Sequence, residues 1–160
     1  VKEIPALDIE SVNVSSTKIR KAIAKGEVKK ANEYLGHRYL LEGKVVEGQK
    51  IGRSIGFPTA NIEVQEAYKL IPANGVYAVK VWVEEQGYLG MLNIGKRPTI
   101  NEALEQSLEV FIENFDANLY GQTIKLEFIG RMRDEQKFNS LDDLKLQLEN
   151  DRLSLPDYFS

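Results

Sequence analysis

"GVYAVKVWVEEQGYLGMLNIG", residues 75–95, decides the fold. Tyr77, Val79, Val81 and Val83 recur at every second position, which puts them on one side of an extended chain. The run is also rich in β-branched and aromatic residues, which pack well on a pleated surface. Gln86 and Gly87 predict a hairpin turn, with "YLGMLNIG" returning as the partner strand. The same period continues outward, in "YLLEGKVVEG" (39–48), "LEVFIENF" (108–115) and "TIKLEFIGRM" (123–132). Together these segments predict about five or six strands. Their short connections favour antiparallel pairing, and closure into a barrel would remove the exposed edges.

The flanks read differently. Residues 1–14 show no clear period. "SSTKIRKAIAKG" (15–26) predicts a short helix capped by Ser15 or Ser16, with Ile19, Ala22 and Ile23 on its apolar face and Gly26 at its end. "EVKKANEYLG" (27–36) predicts a second, stopped at Gly36. Lys18, Arg20, Lys21, Lys25, Lys29 and Lys30 make this the basic part of the chain, either a solvated face or an anion site. "SLDDLKLQLEND" (140–151) predicts a last helix, begun by Ser140 and Asp143, with Leu141, Leu144 and Leu148 on one face. The change from helical to strand period lies near His37, which reads as a solvated linker residue.

With 160 residues, 42% of them hydrophobic, the chain can form one domain with a core and a small appendage. A net charge of −3 argues against bulk electrostatic binding of nucleic acid. Lack of cysteine removes thiolate catalysis and disulfides and fits a reducing, cytoplasmic setting. A single histidine rules out a histidine pair for metal binding. No apolar stretch approaches a membrane span, and the first residues lack a signal-peptide pattern.

"GRSIGFPTAN" (52–61) is the first candidate for chemistry. Gly52 and Gly56 let backbone amides come close to a charged ligand, and Pro58 fixes the chain before Thr59. Thr59 and Asn61, two apart, would point the same way from an extended segment. Their neutral oxygens suit a hard cation carrying phosphates; the alternative is an ordinary surface turn. In "SLEVFIE", Glu109 shares a face with Ser107 and Phe111, opposite Leu108, Val110 and Ile112. It is either a general base in a semi-dry cleft or a solvated strand residue. "NIGKRPT" (93–99) reads as a strand end followed by a tight Gly–Pro turn. In "RMRDEQKF" (131–138), Arg131 and Arg133 either pair with Asp134 and Glu135, or Arg133 and Phe138 frame a planar ring.

Taken together, "GRSIGFPTAN", "LIPANGVYAV", "NIGKRPT", "LEVFIENFDANLYG" and "RMRDEQKFNSLDDL" resemble the riboflavin kinase module of bacterial bifunctional riboflavin kinase/FMN adenylyltransferases. The match covers about residues 38–150. The resemblance implies a mainly β fold: a six-stranded antiparallel barrel with a C-terminal helix, after a short helical stretch. It implies transfer of the ATP γ-phosphate to the ribityl 5′-hydroxyl of riboflavin, giving FMN, with Mg2+ accompanying ATP. It places Glu109 as the catalytic carboxylate and Thr59 and Asn61 at the metal–nucleotide complex. Gly52, Arg53, Gly56, Ile112 and Tyr120 fall on the nucleotide side, and Arg133 and Phe138 on the flavin side. Gln136 stands where eukaryotic relatives carry a lysine.

"VSSTKIR" (14–20) resembles the last nucleotide-binding motif of the adenylyltransferase module. On that reading, residues 1–37 end a missing N-terminal module, residues 38–160 are the kinase, and the full-length parent also makes FAD. Deleting residues 1–30 should then leave the kinase intact, provided they do not support the barrel. Two other readings compete: a non-catalytic flavin-binding barrel, and an oligonucleotide-binding barrel. The second would want a basic, aromatic strand face, and the basic residues concentrate elsewhere.

Overall fold

Period-two alternation gives six strands in the computed structural model, which describes residues 9–46, 56–64, 69–98, 104–115 and 118–159. They are β1 (Leu40–Val46), β2 (Thr59–Val64), β3 (Gly75–Val83), β4 (Gln86–Pro98), β5 (Leu104–Ile112) and β6 (Thr123–Arg133). All pairings are antiparallel, and the order β1-β2-β5-β4-β3-β6 closes into a barrel. The inward residues Tyr77, Val79, Val81, Leu92, Ile94, Val110, Ile124, Leu126 and Phe128 are at most 1% exposed and fill the cylinder.

Helices α1 (Ile9–Ala24) and α2 (Val28–Leu35) precede the barrel. They share its core: Ala22, Ile23, Val28 and Ala31 are 0–4% exposed and belong to the same cluster as the inward strand residues. Asn32 ties α2 to the barrel wall. Its Nδ2 donates to the Phe128 carbonyl at 2.9 Å, and its Oδ1 accepts from the Tyr39 amide at 2.8 Å. Gly26, between the helices, has φ +80, and a Cβ there would stand 2.7 Å from the Tyr77 Oη and 2.9 Å from Arg131 Nε. Burial pushes the Tyr77 phenol up, against the pull of Arg131, so the hydroxyl stays protonated and donates to the Ala73 carbonyl. The proviso attached to deleting residues 1–30 is therefore not met.

Four local expectations are corrected. Helix α1 starts at Ile9, so Ser15 and Ser16 lie inside it rather than capping it; a cap preference of about 1 kcal/mol is readily overridden by the rest of the segment. The β3–β4 turn is Glu84–Glu85, because Val83 pairs with Gln86 and Trp82 with Gly87. Gly87 serves packing instead: a Cβ there would meet Lys80 Cε at 2.6 Å and the Trp82 ring at 3.2 Å. Gly95–Pro98 is not a turn; β4 runs through it, paired with Leu104–Ser107. The last helix, α3 (Leu141–Ser154), passes beyond Asp151 because nothing breaks it before Pro156.

Ser140 caps α3 as expected, accepting from the Asp143 amide at 3.1 Å. A 3-10 turn (Leu155–Phe159) then folds back onto the barrel's outer wall. Leu155, Leu148, Tyr158 and Phe159 pack there against Phe57, Val76, Ala78, Met91, Phe111 and Ile129. Of the expected apolar face, Leu148 joins this contact while Leu141 stays 52% exposed.

The turn at Glu84 yields a first prediction. Its φ of 57 is a left-handed conformation that a side chain disfavours by about 1–2 kcal/mol. Glycine relieves that strain but loses roughly 0.5–1 kcal/mol in chain entropy. Glu84→Gly should therefore raise the thermal midpoint by about 2–4 °C, read by circular dichroism.

Candidate active site

The entry to β2 is shaped by its neighbours. Gly56, at φ +84, is exposed, and no atom of the described residues lies within 4 Å of where its Cβ would be. Phe57 is 3% exposed, its ring 5.2 Å from that of Phe111 on the outer wall. Ile62 faces the core, with Ala60 and Val64 packed against the same cluster. Thr59 and Asn61 therefore share the outward face.

Directly paired residues in antiparallel strands share a face, with Cα atoms about 4.5–5.5 Å apart. Asn61 pairs with Glu109, and Glu109 on its other side with Asn93. Asn93 pairs with Val76, and Val76 with Arg133. One row thus crosses five strands on the outer wall: Asn61, Glu109, Asn93, Val76, Arg133. The next row carries Thr59, Phe111, Met91, Ala78 and Gly130. Glu109 is half-buried, with Phe111 below it in a covered apolar patch. A carboxylate so placed is partly shielded from water and can take a proton from a hydroxyl brought against the wall.

Two oxygens flank it. Asn61 is only 5% exposed, and its Oδ1 is buried with no hydrogen-bond partner among the described residues. The Oδ1 of Asn93 is in the same condition. Buried acceptors are normally satisfied, so two beside one carboxylate point to a ligand with donors or positive charge.

At the far end of the row, the Arg133 guanidinium centre lies 6.0 Å from the Phe138 ring centroid. Its partner is Asp151 of α3: Nη2–Oδ2 is 2.8 Å, and Nε donates to both carboxylate oxygens at 3.0 and 3.1 Å. Asp151 is 5% exposed and also accepts from Gln147 at 2.9 Å. Removing either partner would strand a buried charge. Arg131 follows the local expectation, pairing with Asp134 at 2.6 Å, and donates to the Asn74 carbonyl at 2.7 Å.

The structure thus brings Thr59, Asn61 and Glu109 together, and Arg133 beside Phe138 on the same wall. Ile112 is 7% exposed within the inner core. Tyr120 is 60% exposed, its amide donating to Asn118 Oδ1 at 2.9 Å. Near it, an open cavity of about 540 Å³ lies between the β3–β4 turn and Phe115–Gln122. Gly52 and Arg53 lie outside the described residues. Sequence reasoning missed Asn93, which only strand register reveals, and Asp151, which is 18 residues from Arg133. It also paired Glu135 with arginine, whereas that carboxylate lies over Gly95, where a Cβ would collide with it.

Known proteins resemble this chain in sequence and in fold. The riboflavin kinase family profile matches residues 35–159. A bifunctional riboflavin kinase/FMN adenylyltransferase of Haemophilus influenzae is 46% identical over 144 residues, 89% of this chain and 46% of that protein. The crystal structure of a Streptococcus pneumoniae protein described as a macrolide-efflux protein superposes with a TM-score of 0.83 at 40% identity, over 88% of this chain and 46% of that one. The Trypanosoma brucei riboflavin kinase superposes with a TM-score of 0.50 at 27% identity, over 74% of each chain. The chain spans about half the length of the curated relatives it matches. The match extends unbroken from the end of α2 through all six strands to the 3-10 turn, so that the outer-wall row lies wholly inside it, and the chain belongs to the riboflavin kinase family.

Proposed function

We propose that this chain transfers the γ-phosphate of ATP to the ribityl 5′-hydroxyl of riboflavin, giving FMN and ADP. The observation that carries the reading is the direct pairing of Asn61 with Glu109, with Thr59 two positions along the same face. Glu109 holds the 5′-hydroxyl and accepts its proton as the new O–P bond forms and the bond to the β-phosphate oxygen breaks. Phosphoryl transfer asks the protein for alignment and charge neutralisation more than for covalent chemistry.

Thr59 and Asn61 would hold Mg2+ through their oxygens, and the orphaned Asn61 Oδ1 suits such a cation. Both are neutral, so the phosphates supply the negative ligation; the ion's contribution when bound is to offset phosphate charge. The bend at Gly56 is suited to bringing backbone amides near those phosphates, with Gly52, Arg53 and Tyr120 assigned to the same side, while Ile112, turned into the inner core, supports that end of the barrel rather than touching the nucleotide. Arg133 and Phe138 cover the flavin ring by stacking and hydrogen bonding.

The longer parent would also adenylylate FMN through an N-terminal module ending near residue 37, before a kinase unit of residues 38–160. Ser16, Thr17 and Arg20 of α1, with Ser15, are assigned there to phosphate contacts. A cytoplasmic location fits the use of ATP. Among the described residues, no helix is long and apolar enough to cross a membrane.

The test is incubation of the 160-residue chain with riboflavin, ATP and magnesium, followed by chromatography. FMN should accumulate, depend on magnesium and not proceed to FAD. Flavin binding without any FMN would favour the non-catalytic reading.

A further inference from the structure

Resting on that reading, we infer that Asn93 accepts a hydrogen bond from an inner hydroxyl of the ribityl chain, and that riboflavin lies along the outer-wall row. Asn93 stands next to Glu109 on β4, on the side away from Asn61. Its Oδ1 is buried and lacks a donor among the described residues. That oxygen needs a donor, and ionised phosphates carry none, so the triphosphate that meets Glu109 does not satisfy it directly. A polyol does, because each of its hydroxyls donates.

The order of the row then sets the ligand's direction. Asn61 is at the phosphate end, Glu109 at the reacting hydroxyl, Asn93 at the chain behind it, and Arg133 with Phe138 at the ring. Neighbouring strands lie about 4.8 Å apart, so the path along the wall from Glu109 to Arg133, three strand spacings, is about 14 Å. A five-carbon chain leading into a fused ring fits that span. Val76, between Asn93 and Arg133, is 5% exposed and apolar, so the polar demand of the chain falls on Asn93. The asparagine side chain is one methylene shorter than Glu109, which sets its oxygen closer to the wall.

The experiment compares riboflavin with lumiflavin, which has the same ring but a methyl group in place of the ribityl chain. Asn93→Leu keeps the volume and removes the acceptor. Flavin fluorescence should show riboflavin affinity reduced about tenfold, the effect of one lost hydrogen bond, with lumiflavin affinity unchanged. The KM for riboflavin should rise in step, while the KM for ATP and the magnesium dependence stay at wild-type values. Should Asn93→Leu not fold, Asn93→Ala, which leaves space instead of filling it, carries the same expectation. Equal weakening of both flavins would overturn the inference, as would a shifted magnesium requirement with riboflavin binding intact. A wild-type chain that forms no FMN would instead sink the kinase reading itself.

Discussion

Glu109→Gln is expected to slow FMN formation by roughly 10²–10⁴-fold, the usual contribution of a positioned general base. The two side chains are nearly equal in size, and pairing with Asn61 and Asn93 depends on the backbone of β5. The amide can still hold the 5′-hydroxyl, but it cannot take the proton at neutral pH. Riboflavin and ATP should therefore bind the variant nearly as well as the wild type. Single-turnover assays separate these effects, since the loss should lie in the chemical step. Near-normal FMN formation by a folded Glu109→Gln protein would remove the carboxylate from the mechanism.

The second large effect concerns the helices. Removing residues 1–36 strips Ala22, Ile23, Val28 and Ala31 from the core and uncovers the barrel end at Tyr77 and Phe128. Fully burying one valine or isoleucine contributes about 1.5–3 kcal/mol. Ile23 and Val28 alone thus supply roughly 3–6 kcal/mol, against a typical total stability of about 5–15 kcal/mol. The truncated chain should lose cooperative unfolding and near-ultraviolet dichroism, and its activity with them. Ile23→Ala is the milder form, expected to lower stability by about 2–5 kcal/mol while leaving the outer-wall row in place. A truncated barrel that melts like the full chain would show that the helices only rest on it.

Strand period exposed the barrel because its inside is dry: alternation at Tyr77, Val79 and Val81 records one buried face directly. The faces of β5 were equally legible, with Leu108, Val110 and Ile112 inward and Glu109 outward. What stayed hidden depends on distance along the chain. Asn93 gains meaning only from register with Glu109, and the Arg133–Asp151 pair only from the return of α3. The turn at Glu84 was misplaced because glycine commonly marks turns, whereas Gly87 clears space for the Trp82 ring. Nor did the helical period show where α1 and α2 pack. Their basic residues marked an exposed face, but only contact shows that the other face closes a cylinder.

The outer wall of a closed cylinder is convex, and a convex surface cannot by itself surround a small molecule. The strands supply reacting groups at fixed spacing, as a ruler does, whereas concavity must come from what is laid over them. Among the described residues that cover is the stretch from Asp134 to Phe159, which carries Phe138, sets Glu135 over Gly95 and is anchored by Asp151 to Arg133. Reaction geometry and ligand fit are thereby written in different parts of the chain. Altered preference for the flavin ring is to be sought in that cover, where a side chain can change without disturbing strand register, while on the row a change at Glu109 should alter rate and one at Asn93 the hold on the ribityl chain.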